Sequence, residues 1–397
     1  MLTYNIFVFI VAVLLLLDYS VHKYDVHMVN SSARLSFGNT FLYLALFVII
    51  FFAGFRFEIG YDYPKYLAGY LYNSQLEHWE PLFNFFVRLS REVNFGLKTQ
   101  AMFLFFSTLT VVVLYKALRS LTPHYRLGIL FYLLIPSLYL NAFSVVRQGI
   151  ALAILFYGLQ YLVKEKSEYK KYILVSLVAF MFHYSSLFIA LLYLFGSKFF
   201  EKVHSWVVYI FLTVASLFLS FSHVGKVILS ILPGHFSVYT NMAQDVSPLK
   251  LLIINAFFLF FMIQKDAFIK NKLEKYLLNS IFMGLLIFNT FSDFIFVSRI
   301  GQYLLVAEIV LVPIYLYSLK DALMRKGMLV IFLLYYLFNF NYALYRDKNY
   351  EGARAHFLVP YENYFLEEKK SNKNINIEAW YHYIQETIKT EEEGDAK

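Results

Sequence analysis

Apolar runs of near-bilayer length recur along the whole chain, at residues 4–17, 41–55, 101–118, 127–142, 149–163, 173–195, 206–221, 249–263, 276–291, 300–319 and 328–345. A hydrocarbon core about 30 Å thick is crossed by about 20 helical residues, and a helix satisfies its own backbone there. Several runs are shorter, which calls for tilt, aromatic extension at the ends or local thinning of the bilayer. Only 16% of the 397 residues are charged, against roughly 25% in an average soluble domain, so the chain lacks the surface to fold in water. The expected fold class is all-α: a polytopic transmembrane helix bundle of about ten or eleven membrane helices, one of them broken or re-entrant.

Four short loops are basic: Lys116, Arg119 and Arg126; Lys164, Lys166, Lys170 and Lys171; Lys265, Lys270, Lys272 and Lys275; and Lys320, Arg325 and Lys326. The positive-inside rule makes all four cytoplasmic. Three runs lie between the second and third loops, and an odd number of crossings cannot begin and end on one side. The run 173–195 is interrupted midway by Phe182-His183-Tyr184-Ser185-Ser186, and polar backbone at membrane depth is tolerated where it lines a protein cavity. Two half-helices meeting near His183 resolve the parity. The alternative is a crossing by residues 226–242, which contain Pro233-Gly234.

This topology places the amino terminus, the loops 56–98, 141–148, 223–247 and 292–299, and the tail outside the cytoplasm. The chain divides into a membrane body, 1–345, and a polar acidic tail, 346–397, which holds 8 Lys and Arg against 11 Asp and Glu. The body keeps 27 against 16, an excess that reads as loop lysines rather than a nucleic-acid face. Within the loop 56–98, residues 80–94 read as an interfacial amphipathic helix anchored by Trp79. In the tail, 376–389 reads as a surface helix and 391–397 as disordered. The absence of cysteine removes disulfides, thiolate metal sites and thiol nucleophiles. The run 4–17 has no basic residue before it and no small-residue cleavage pattern after it, and reads as a retained helix.

Arg56, Arg147 and Arg299 each stand at the extracytoplasmic end of an apolar run, the side that should be poor in arginine, accompanied by Asp62, Glu80 and Asp293. Snorkelling or a structural ion pair explains one such arginine; three together point to an anionic ligand. The guanidinium fork donates two parallel hydrogen bonds and stays charged in a dry site, which suits phosphate. Among lipid-borne anions, a pyrophosphate between lipid and sugar fits a pocket open to both bilayer and water. Phosphate-cradling glycine loops, His-Glu-x-x-His and Asp-x-Asp are absent, so ATP and zinc hydrolysis lose support, and no metal or cofactor is expected. His183, at a helix break, reads equally as a hydrogen-bonded core histidine or a proton-transfer group.

The ordered set Arg56-x-x-x-Gly60-x-Asp62-x-x-x-Tyr66, Glu80 followed by Leu82-Phe83, Arg147-Gln148-x-x-Ala151, Phe182-His183-x-Ser185, Arg299-x-x-x-Tyr303 and Pro360-Tyr361 resembles the EpsG-like family of Wzy-type bacterial polysaccharide polymerases. Two departures are Tyr61, where the family usually has threonine, and the acidic tail after Tyr361. The resemblance implies polymerisation of undecaprenyl-pyrophosphate-linked oligosaccharide repeats, as donor and acceptor, at the outer face of the bacterial cytoplasmic membrane, for O-antigen, capsule or exopolysaccharide. A flippase and a chain-length regulator are the partner proteins it suggests. Arg147 and Arg56, then Arg299, are expected to hold pyrophosphate, with Gln148, Tyr66 and Tyr303 in support. Asp62 is the first candidate base, with His183 or Glu80 as substitutes. Two other readings are a flippase for the same lipid-linked sugar, whose charges would line a path to both faces, and a membrane acyltransferase with His183 as its base.

Overall fold

The computed structural model describes residues 1–27, 39–72, 79–221, 248–291, 295–349 and 358–366. Among them the chain is built of helices, with one isolated bridge between Arg56 and Asn363 in place of any sheet. In order these are α1 (Leu2–His27), α2 (Thr40–Gly54), α3 (Tyr63–Tyr72), α4 (Pro81–Glu92), α5 (Thr99–Leu121), α6 (Tyr125–Leu134), α7 (Asn141–Ser144), α8 (Val146–Leu162), α9 (Tyr169–Phe182) and α10 (Ser186–Phe195). There follow α11 (Ser197–Phe200), α12 (Trp206–Phe221), α13 (Pro248–Phe268), α14 (Lys272–Thr290), α15 (Ile295–Leu305), α16 (Glu308–Ser318) and α17 (Ala322–Lys348). Five stretches, Leu2–His22, Thr99–Leu121, Leu251–Phe268, Arg299–Ser318 and Ala322–Lys348, are long and apolar enough to cross a membrane. Shorter apolar helices pack among them, and many leave large aliphatic and aromatic side chains exposed, as a lipid-facing bundle requires. The chain is a multi-pass membrane protein of all-α fold. The readings at 223–247, 226–242, 376–389, 391–397 and Asp293 lie outside the described residues.

The helices start and stop for local reasons. Asn271 and Glu274 form a reciprocal capping box at the head of α14, and the Asp321 carboxylate accepts from the Leu323 amide at 2.7 Å to start α17. One helix continues past the position where its apolar run ends. The first run stops at Leu17 by composition, but α1 extends to His27, because Asp18 is fully buried and bound by Arg126 at 2.5 Å and by the Leu42 amide at 3.2 Å. A carboxylate so paired can sit inside a bundle that would otherwise exclude it.

The run 173–195 is two helices. The Tyr172 hydroxyl donates to the Ala190 carbonyl at 3.4 Å, whereas 18 residues of straight helix would hold them about 27 Å apart. The halves therefore fold back on each other around His183-Tyr184-Ser185. Their far ends share one face: Lys272 binds the Ser167 hydroxyl and the Glu201 carboxylate, each at 2.8 Å. This hairpin settles the parity conflict in favour of the half-helices. A chain without cysteine allows a direct check. Single cysteines in place of Lys166 and Lys202, both exposed, are expected to react with an impermeant maleimide from the same side of the membrane. Labelling from opposite sides would undo the hairpin.

Packing continues past the last long helix. Residues 358–366 return to the opposite face and strap the end of α2: Tyr4 donates to the Leu358 carbonyl at 2.7 Å, Tyr361 to the Phe52 carbonyl at 2.8 Å, and the Phe57 and Tyr364 amides to the Glu362 and Phe55 carbonyls. Tyr361 also stacks on Phe52 with centroids 4.0 Å apart. The division at residue 345 is thus not where the packed body ends.

Candidate active site

The connection from α2 to α3 is a tight turn that exposes carbonyls inward. Gly60 has φ +106°, and a Cβ there would lie 2.3 Å from the Phe143 carbonyl oxygen, so the turn needs glycine. The Tyr61 amide donates to Ser144 Oγ at 2.8 Å; the backbone makes this bond, which removes the difficulty posed by tyrosine in place of threonine. Arg56 fills the turn. Its Nε donates to the Ile59 carbonyl and Nη2 to the Phe143 carbonyl, both at 3.2 Å, and Nη1 to the Ala53 carbonyl. The faces of Phe103 and Phe143 lie 4.6 and 5.0 Å from its guanidinium carbon. Arg56 is 2% exposed, and its donors are spent on the fold. The expectation that it takes pyrophosphate gives way to a clamp that ties α2 to α7.

Beyond the turn, α3, α4, α8, the α9–α10 break and α15 bring the remaining candidates together. Glu80 caps α4 from the residue before Pro81, yet its side chain makes no cap bond. It turns outward, with one carboxylate oxygen 2.8 Å from Arg147 Nη1 and the other 2.7 Å from His183 Nδ1 and 3.3 Å from the Tyr184 amide. Arg147 opens α8, lies over the Trp79 and Phe83 rings at 5.8 and 6.0 Å, and stands beside the Tyr66 hydroxyl. Its Nε is buried with no partner. Trp79 is therefore not an interfacial anchor: it is 4% exposed, and its ring fits against Gly69, where a Cβ would come within 2.2 Å. Gln148 donates to the Arg299 carbonyl at 2.7 Å, and Tyr303, one turn further on α15, meets Ser185 at 3.3 Å. These two bonds hold Arg299 against the start of α8 and the α9–α10 break.

The electrostatics separate the acids. Burial works to raise the Glu80 carboxyl, but the His183 hydrogen bond and the Arg147 charge overcome it and hold it down at about 2. Glu80 is thus a permanent anion and a poor base. Burial raises Asp62, against the opposing charges of Arg299, Lys65, Arg147 and His183. Burial also lowers Lys65, helped by the nearby Arg147 and Arg299, and pushes Tyr66 up to about 12. An ionised carboxylate only accepts, so His183 Nδ1 carries the proton it gives to Glu80, and a neutral ring keeps Nε2 as a free lone pair. Among the described residues, no three of His, Asp and Glu gather as metal ligands.

Sequence reading passed over Lys65. It lies three residues from Asp62 and one before Tyr66, on the first turn of α3, and its charge acts on Arg147, Asp62, Glu80 and Arg299 alike. The signal was the spacing: the Asp62 carbonyl accepts from the Tyr66 amide at the head of α3, so Asp62 and Lys65, three apart, stand on one face. Asn141 and Gln302 were also missed: they bond to each other at 3.0 Å beneath Gln148. Comparison with known proteins comes to one finding. A family model described as the EpsG family matches residues 39–363, from α2 through the strap, while no curated protein and no solved structure matches.

Proposed function

The chain belongs to the EpsG family, which is associated with polysaccharide polymerases, and from that premise we propose that it joins undecaprenyl-pyrophosphate-linked oligosaccharide repeats at the outer face of the bacterial cytoplasmic membrane. A hydroxyl of one lipid-linked repeat attacks the anomeric carbon of the growing chain. The bond from that carbon to the pyrophosphate oxygen breaks, the prenyl pyrophosphate leaves, and the hydroxyl proton passes to a base. The observation that carries this reading is the Glu80 carboxylate held between Arg147 and His183, with an unpartnered Arg147 Nε beside it. Charge grows on the departing pyrophosphate, where preorganised donors stabilise the transition state most; Arg147 and Arg299 supply them. His183, oriented by Glu80, takes the proton through Nε2, and Asp62 ranks second. Gln148 and Tyr303 hold Arg299 in place, and Tyr66 supports Arg147. A flippase delivers the substrate and a chain-length regulator acts on the product.

Arg147→Ala removes charge and fork, while Arg147→Lys keeps the charge alone. Both are expected to cut elongation, alanine by about 100-fold and lysine less. The readout is a surface glycan reduced to single repeats, with lipid-linked repeats accumulating where an added external glycosidase trims them. Repeats stranded out of that enzyme's reach would identify a flippase instead. Long-chain polymer at normal protein level would remove Arg147 from the site.

A further inference from the structure

The three site cations are not equivalent. Arg147 is already paired, at 2.8 Å, with a carboxylate that stays ionised. Lys65 and Arg299 have no side-chain ion pair or hydrogen bond with the described residues, and both are partly exposed. They come from different elements, α3 and α15. Arg299 is held by the Gln148 bond to its own carbonyl and by the Tyr303 contact one turn away, which fix its backbone without engaging the guanidinium. Lys65 adjoins Tyr66, which stands beside Arg147. Asp62 is the acid nearest these two cations in effect, and it forms no ion pair with either.

We propose that Lys65 and Arg299 form the seat for the diphosphate charge of the lipid-linked substrate, with Asp62 as the counter-charge of the empty seat and Arg147 reaching it from the Glu80 side. The inference rests on the polymerase reading above and adds Lys65 to it. Charge balance supports the assignment. Among the described residues, Lys65, Arg147 and Arg299 face Asp62 and Glu80, an excess of one positive charge. A diphosphate diester carries two negative charges and the leaving prenyl diphosphate more, so the seat gains attraction as the bond breaks. Cations crowded in a partly desolvated site repel one another until an anion arrives, which is why an unpaired lysine there marks a ligand rather than a structural pair. A lysine also acts as a point charge without a fixed fork, suited to follow a phosphate whose charge changes during the reaction.

The test uses the full chain in lipid nanodiscs, with binding measured for undecaprenyl pyrophosphate in the bilayer, undecaprenyl phosphate in the bilayer, and inorganic pyrophosphate added from solution. Wild-type protein is expected to bind the prenyl diphosphate more tightly than the monophosphate. Lys65→Met is expected to raise the diphosphate Kd by about tenfold or more, the cost of one charge-assisted contact, and the monophosphate Kd by less. Lys65→Arg is expected to stay within about threefold of wild type. Inorganic pyrophosphate that competes with the prenyl form locates recognition in the diphosphate; failure to compete overturns the seat as a charge site. Equal loss in Lys65→Met and Lys65→Arg, or an unchanged Kd in Lys65→Met, overturns the role of Lys65 while leaving the polymerase reading standing. Wild-type protein that binds neither diphosphate overturns both.

Discussion

Glu80→Gln is expected to lower polymer formation by about 10² to 10³-fold, and Glu80→Ala by 10³-fold or more, with protein still inserted in the membrane. The side chain is 2% exposed, and each of its oxygens serves a different partner: Arg147 on one, His183 and the Tyr184 amide on the other. Glutamine has one acceptor and one donor. Whichever way the amide turns, its NH2 faces either the Arg147 guanidinium or the protonated His183 Nδ1, and one contact becomes a donor–donor clash. The imidazole then loses the partner that fixes its tautomer, or the arginine loses the anion that aims it. Alanine removes both and leaves a buried cation unpaired, a change that costs about 3 to 5 kcal/mol in comparable settings. The assay is polymer length and rate in membranes from cells with matched protein levels. Glu80→Gln at wild-type rate would show that neither link matters to the chemistry. The folded carboxyl lies at about 2 against an ordinary 4.5, so the stability it contributes is complete above about pH 4.5 and is lost as pH falls through about 2.

Arg56→Met is expected to act on the protein rather than on the reaction. Three carbonyls, of Ala53, Ile59 and Phe143, lose their donor in a buried place, and each unsatisfied group costs about 1 to 3 kcal/mol. A loss of at least about 3 kcal/mol in all is anticipated, seen as a thermal midpoint lowered by several degrees in detergent and as reduced yield. Arg56→Lys retains a charge but cannot reach three carbonyls in three directions, so it should fall almost as far. A residue that only touched pyrophosphate would behave in the opposite way: Arg56→Lys would fold normally and lose rate. An unchanged midpoint in both variants would refute the clamp.

Arg56 and Arg147 show what can be read from a sequence and what cannot. Both stand at the extracytoplasmic end of an apolar run by the sequence reading, and residue type alone makes them equal candidates. They differ in what the chain does next. After Arg56 it reverses through Glu58 and Gly60, both at positive φ, and turns carbonyls towards the guanidinium. After Arg147 it continues into a helix, leaving the side chain free to meet Glu80. The broken helix at His183 was legible because its polar run conflicts with loop charge parity, a constraint that acts over the whole chain. Lys65 was not, because Lys65 belongs to α3, a short helix inside a loop without a bilayer-length apolar run to reveal it. Trp79 was misread for a related reason: an aromatic beside an amphipathic helix suits either an interface or a core, and only the missing side chain of Gly69 decides.

The strap has a consequence for how the protein is made. Tyr361 and Glu362 secure the end of α2 and the turn that holds Arg56, yet they are synthesised about 300 residues later. At ribosomal speeds of about 5 to 20 residues per second, the turn waits roughly 15 to 60 s for its latch. During that interval the Arg56 turn lacks the bonds from Tyr361 and Glu362. The latch on the Arg56 turn is therefore a late event in synthesis, and a chain cut before residue 361 lacks the Tyr361 and Glu362 bonds that close it.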